Sequence, residues 1–119
     1  MRLLLSLVCL LAAPVQGQSV QLLVQSSPLA GFRYAEAARV WPLLQLGDAL
    51  DLVREANNPH DANAVRIEWR GRKLGYVPRR ENAALAWGMD RGTPLRARVS
   101  RLAEHPNPAR RIEFEVYIE

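Results

Sequence analysis

AVRIEWRGRKLGYVP, residues 64–78, alternates with a period of two on both sides of a glycine. Val65, Ile67 and Trp69 fall on one face, and Arg66, Glu68 and Arg70 on the other. Gly71 sits in the tight reversal Arg70-Gly71-Arg72, and Leu74 and Tyr76 carry the pattern back. A strand with one buried and one wet face reads this way, and a glycine reversal joins two such strands antiparallel. The stretch predicts a β-hairpin over residues 64–77.

The same period returns downstream. Leu95, Ala97 and Val99 alternate with Arg96, Arg98 and Ser100. Ile112, Phe114, Val116 and Ile118 alternate with Glu113, Glu115, Tyr117 and Glu119, after a turn at Pro106-Asn107-Pro108. Arg96 and Arg98 are placed to pair with Glu113 and Glu115, each such pair contributing about 0.2–1 kcal/mol. Between hairpin and C-terminal strands, residues 79–91 have helical spacing, with Leu85 four from Met89 and Ala83 four from Trp87. Pro78 suits the start of that helix and Gly92 its end. Upstream, Val20 to Val24 is strand-prone, and Ser26-Ser27-Pro28 reads as a break. Residues 29–34 read as a second short strand or its entry, and Trp41-Pro42 as an interruption. Gly47-Asp48 is a turn signal, followed by a strand over 49–54 with Leu50 and Leu52 on one face. The fold expected is mainly β, about six short antiparallel strands in a closed or nearly closed small barrel.

The first 17 residues read as a secretory signal. Met1-Arg2 is a short positive start, Leu3 to Ala13 is an apolar run, and Val15-Gln16-Gly17 supplies small residues for cleavage. The run is too short to span a bilayer. A buried strand and a misassigned start codon are the alternative readings; the second leaves the protein cytoplasmic rather than periplasmic or secreted. A lipoprotein reading through Cys9 fits less well, because Cys9 lies inside the apolar run. The expected division is thus a signal over residues 1–17 and one domain over 18–119. Cleavage leaves 102 of the 119 residues, with 15 basic residues against 12 acidic ones, a net charge of +3. Cys9 departs with the signal, which excludes disulfides, thiol nucleophiles and thiolate metal sites from the domain. Lys73 is the sole lysine, so the positive charge is nearly all arginine, whose planar fork suits phosphate and carboxylate.

REANNPHDANAV, residues 54–65, joins two strands with more hydrogen-bonding capacity than a turn requires. Asn57 and Asn63 read as residues that tie the loop to itself. Asp61 has two readings: an acceptor for loop N–H groups, or an acceptor for something bound. A zinc site would need His60, His105 and carboxylates to converge, and no helical His pair exists. No nucleophile–base arrangement and no glycine-rich phosphate loop appears, so neither an enzyme nor a cofactor is expected.

The run Gly47-Asp48, Leu50, Leu52, Arg54-Glu55, Asn57-Asn58-Pro59-His60-Asp61, Asn63-Ala64-Val65, Gly71 and Leu74-Gly75-Tyr76-Val77-Pro78-Arg79 closely resembles the HIRAN domain. Leu85, Ala86, Met89, Asp90 and Gly92 continue the match, and Gly31-Phe32-Arg33-Tyr34 is similar to the family's glycine-led Arg-Tyr segment. The resemblance covers residues 27–118. It implies an OB-like β-barrel with one or two short helices, found on fork-remodelling DNA translocases and also alone in bacteria. It further implies a non-catalytic module that captures the 3′-hydroxyl end of single-stranded DNA.

Residue by residue, the resemblance implies a phosphate contact for Arg33 and a stacking face for Tyr34. Asp61 matches the acceptor of the terminal hydroxyl, and Asn58 matches the Asn before the loop Pro. His60 stands where characterised members carry Tyr, keeping a stacking face of smaller area. Tyr76 stands at a His that contacts the backbone, and Arg79 at a basic phosphate contact. Read from pattern alone, Tyr34 and Tyr76 are equally half-buried barrel residues. Two classes of partner stay open: single-stranded DNA ends, and an extracytoplasmic ligand or protein bound by the same barrel. A monomer is expected.

Overall fold

The computed structural model describes residues 20–32 and 35–118. The expected signal over 1–17 and the pair Arg33 and Tyr34 lie outside the described residues. No described helix is long and apolar enough to cross a membrane.

The hairpin forms where the alternation places it. β3 (Val65–Trp69) and β4 (Arg72–Tyr76) pair antiparallel across Arg70-Gly71. Both turn residues have positive φ, 48° and 79°, as a primed hairpin turn requires. β2 (Ala49–Arg54) pairs with β3, and β5 (Leu95–Leu102) with β2 and with β6 (Ile112–Ile118). β1 (Leu22–Pro28) pairs with β6, giving one six-stranded antiparallel sheet in the order β1-β6-β5-β2-β3-β4. Val65, Ile67, Leu74, Val99, Ile112, Phe114 and Val116 fill its inner face, all fully or almost fully buried.

The expected barrel does not close. β1 and β4, at the two ends of the strand order, share no ladder. Beyond β1 the chain makes a single bridge to β4, with Ala30 and Tyr76 exchanging two N–H···O bonds of 2.9 Å each. Pro28 has no N–H to extend the pairing, and Gly31, at φ 80°, turns the chain away. Of residues 29–34, read as a second short strand or its entry, the described part 29–32 forms no strand: Ala30 makes an isolated bridge, and Phe32 enters the core against the edge of Trp41, ring centroids 6.2 Å apart. Gly75 permits this seam, because a β-carbon there would lie 2.1 Å from the Ala30 carbonyl oxygen.

Three local readings change. β1 continues through Ser26-Ser27-Pro28 instead of breaking there. Buried Ser27 accepts a hydrogen bond from the Gln25 amide (2.8 Å) and donates to Glu81 (3.1 Å), so one local and one distant partner satisfy its polarity. The short helix α1 (Ala37–Val40) and the 3-10 turn Trp41–Leu43 occupy the stretch read as an interruption. Pro42 sits in the first turn of the latter, where its missing N–H costs nothing. The predicted helix over 79–91 splits into a 3-10 turn at Arg79–Glu81 and α2 (Ala83–Asp90), ended by Gly92 at φ 83°. Leu85 and Ala86 are buried and Met89 packs on the core, whereas Ala83 and Trp87 face outward, Trp87 being 62% exposed.

The charged outer face also shifts by one residue. Arg98 stands opposite Glu115, with Nε and Oε1 2.5 Å apart, as expected. The same antiparallel register sets Arg96 opposite Tyr117, and an irregularity between Val99 and Arg101 brings Glu113 to Arg101 (3.4 Å).

Candidate functional site

The loop 55–64 is a run of turns fastened at both ends. The Glu55 N–H bonds the Ala64 carbonyl at 3.0 Å, closing the loop at its base. Within it, Asn58 N–H reaches Glu55 O (3.1 Å) and Ala64 N–H reaches Asp61 O (3.1 Å). Two side chains make local turns of the kind Asn and Asp favour. Asn58 Oδ1 accepts from His60 N–H at 2.8 Å, and Asp61 Oδ1 accepts from Asn63 N–H at 2.9 Å. Arg54 anchors the loop from outside, donating to the Ala64 carbonyl (3.1 Å) and forking onto the Asp90 carboxylate of α2 (3.0 and 3.3 Å).

Glu55 is the hub. Its Oε1 accepts from the Asn58 amide and from the Tyr76 hydroxyl, both at 2.9 Å. Its Oε2 is paired with Arg66, which also holds Glu68 at 2.8 Å. Partial burial works to raise the Glu55 carboxyl. The hydrogen bonds from Asn58, Arg66 and Tyr76, with the Arg66 charge, outweigh it and hold the group below its ordinary value. The hub joins the loop to β3 and to β4.

Asp61 is held from the opposite side. The Asn63 N–H is the largest influence lowering its carboxyl below the ordinary 3.8; slight desolvation opposes this, and the Asn82 amide and the charges of Arg79 and Arg54 add to the lowering. Asn82 is itself buried, and its Nδ2 donates to Asp61 Oδ2 at 2.7 Å. The Arg79 guanidinium, 75% exposed, bonds the His60 carbonyl and sits with Nε 3.9 Å from Asp61 Oδ2. Asp61 is therefore an ionised, acceptor-only group beside a solvent-facing cation.

These residues line a cleft of about 350 Å³ beside the seam of the sheet. Ala30, Gly31, Tyr76 and Val77 form one wall, and Asn58, His60 and Asp61 with Arg79 form the other. Five of the sequence-predicted residues, Asn58, His60, Asp61, Tyr76 and Arg79, thus converge on one cavity. Arg33 and Tyr34 lie outside the described residues, two and three positions along the chain from Gly31. The Asn58 amide is occupied at both ends by Glu55 and His60, so it shapes the loop as well as lining the cleft. The sequence reading assigned no role to Glu55, Asn82 or Arg54. Glu55 and Arg54 carried a local signal, a charged pair at the end of a strand beside a polar loop. Asn82 carried none, since its partner lies 21 residues away. Among the described residues, no three His, Cys, Asp or Glu side chains are grouped as metal ligands would be.

The comparisons agree with this architecture. A family model described as the HIRAN domain matches residues 22–119. A crystal structure of a protein from Lactobacillus plantarum is similar, with 27% identity, a TM-score of 0.72, and 83% of this chain and 95% of that one covered. The crystal structure of the HIRAN domain of human HLTF has the same fold at 23% identity and a TM-score of 0.63, over 86% of this chain and 81% of that one. No curated protein matches the chain. HIRAN domains are generally nucleic-acid-binding modules without catalysis of their own. The match spans nearly all of the described residues, sheet, loop and cleft together, and the chain belongs to the HIRAN domain family.

Proposed function

We propose that this chain is a non-catalytic nucleic-acid-binding module that takes the 3′-hydroxyl end of a single DNA strand in the cleft between the 55–64 loop and the Ala30–Tyr76 seam. The observation that carries the reading is the Asp61–Arg79 pairing at the cleft wall. A carboxylate locked in its charged form accepts a hydrogen bond from a terminal hydroxyl and repels a terminal phosphate. A guanidinium a few ångströms away serves the phosphodiester that follows. The Tyr76 ring, its hydroxyl tied to Glu55, offers a positioned face, and His60 offers a second one at the exposed tip of the loop. Arg33 and Tyr34 add a phosphate contact and a stacking face, as their place in the family motif implies.

The test is fluorescence anisotropy with a 5′-labelled single strand carrying either a 3′-hydroxyl or a 3′-phosphate, at low salt. The expected result is at least a tenfold preference for the hydroxyl end, lost in Asp61→Asn, which keeps the Asn63 contact but not the charge. Equal affinity for both ends refutes end capture, and no binding to either refutes the nucleic-acid reading.

A further inference from the structure

The Asp61 cleft has a neighbour. A second cleft, of about 470 Å³, is lined by Pro28, Arg80, Arg101, His105, Arg110 and Glu113, among others. The two clefts are adjacent along the chain at two separate places. Arg79 lines the first and Arg80 the second; Ala30 lines the first and Pro28, two residues earlier, the second. Two extended residues span about 7 Å, so the short segment Pro28–Ala30 forms a saddle with one cleft at each end.

The second cleft is built for anions. Three guanidinium groups line it against one carboxylate, Glu113. Arg80 is 85% exposed and only 4.0 Å from Glu81, and Arg101 is 65% exposed and 3.4 Å from Glu113, so neither charge is consumed by a tight pair. The Arg110 side chain makes no hydrogen bond or ion pair among the described residues. His105 Nδ1 accepts from the Asn107 N–H at 3.0 Å, which leaves its other ring nitrogen to donate outward. The loop presenting these groups is firm. Arg111 Nε bonds the His105 carbonyl at 2.8 Å while its guanidinium lies 5.2 Å from the Phe32 ring centre. Asn107 caps the 3-10 turn that carries Arg110 by accepting from the Ala109 N–H at 3.0 Å. A solvated charged face needs no such bracing.

We infer that the strand whose end sits in the Asp61 cleft crosses the Pro28–Ala30 saddle and lays its following phosphodiesters in the cleft of Arg80, Arg101, His105 and Arg110. The inference rests on the end-capture reading and extends it from a terminal contact to a polar track of several nucleotides. Charge complementarity selects the occupant: a chain of regularly spaced monoanions meets three guanidinium groups set against one carboxylate. Small β-fold binders of single strands track about 4–16 nucleotides in this manner, with affinity dependent on length and salt.

The test is a length series of 3′-hydroxyl oligothymidines, from two to ten nucleotides, against the wild type and Arg101→Ala/Arg110→Ala. In the wild type, affinity rises at least tenfold between the shortest and the longest strand. The double variant loses that gain, and its salt dependence falls by about 0.7 in slope for each phosphate contact removed. Its preference for a 3′-hydroxyl over a 3′-phosphate on the shortest strands is retained. Glu113→Gln, which removes the lone carboxylate, tightens the long strands several-fold and does not rely on loss of function. An unchanged length gain and salt slope in the double variant overturn the track and leave end capture standing. A wild type with no end preference, but a length gain lost in the double variant, overturns end capture alone. Absence of binding at every length overturns both.

Discussion

Gly75→Ala is the substitution whose effect the structure fixes most closely. The added β-carbon would meet the Ala30 carbonyl oxygen at 2.1 Å and two Leu29 side-chain carbons at 3.1 and 3.2 Å. The first neighbour is backbone, held by its own hydrogen bond to Tyr76, so a rotamer change cannot relieve the clash. The seam has to open. Opening forfeits two backbone hydrogen bonds, about 0.5–1.5 kcal/mol each. Displacing Leu29 from the core adds about 1–3 kcal/mol of overpacking. Loss of chain freedom in the unfolded state returns about 0.4–1 kcal/mol. The net expectation is a destabilisation of about 1–6 kcal/mol, set against the ~5–15 kcal/mol typical of a domain. In thermal unfolding each kcal/mol corresponds to about 4–8 °C for a domain of this size. Urea unfolding followed by tryptophan fluorescence measures the loss, and hydrogen exchange at the Ala30 and Tyr76 amides shows where it arises. Gly71→Ala is the control: it has positive φ but no atom within 4 Å of the added carbon, so it carries only the left-handed penalty of about 1–2 kcal/mol. A Gly75→Ala protein within about 0.5 kcal/mol of wild type, with both amides still protected, would refute the reasoning.

The other predictions concern the polar groups around the cleft. Glu55→Gln removes the charge from the bonds to Asn58, Tyr76 and Arg66, and urea unfolding at neutral pH should show a loss of about 1–2 kcal/mol. Asn82→Ala takes away the partner of Asp61 Oδ2, so the Asp61 carboxyl should rise toward its ordinary value in a carbon-13 NMR titration, with about 1–2 kcal/mol of stability lost. Glu55 and Asp61 are both held below their ordinary values of 4.5 and 3.8, so their contribution is complete above those values and disappears as pH falls through the lower folded ones. The urea midpoint should therefore drop in the acid range, and the gap between wild type and Glu55→Gln should close there; a gap at pH 3 as large as at pH 6 would contradict the role given to Glu55.

The paired alternation around Gly71, the strand of Leu50 and Leu52, and the C-terminal strands were legible because a half-buried strand repeats every two residues whatever it packs against. The Asn58-Pro59-His60-Asp61 loop stood out as a candidate site because its residue types and spacing match a family motif, and three of its residues line one cleft with Tyr76 and Arg79. Other features depend on groups distant in the chain. Ser27 stays in a strand because Glu81 lies 54 residues away, and β1 was misread for want of that partner. Asn82 reaches Asp61 across 21 residues, and no periodicity announces a single buried amide. Trp87 has helical spacing but faces outward, because the core lies on the Leu85 side of α2. The closure of the sheet was likewise undetermined by pattern, since it turns on whether Gly75 meets Ala30 over one bridge or over a ladder. Local sequence thus determined the strands, the hairpin and the identity of the loop, all of which follow from neighbouring residues and short-range backbone preference. Only the tertiary structure decided the open seam, the Tyr76 bond of the Glu55 hub and the gathering of Arg80 with Arg101 and Arg110 around one cleft, because each brings together residues that the chain itself keeps far apart.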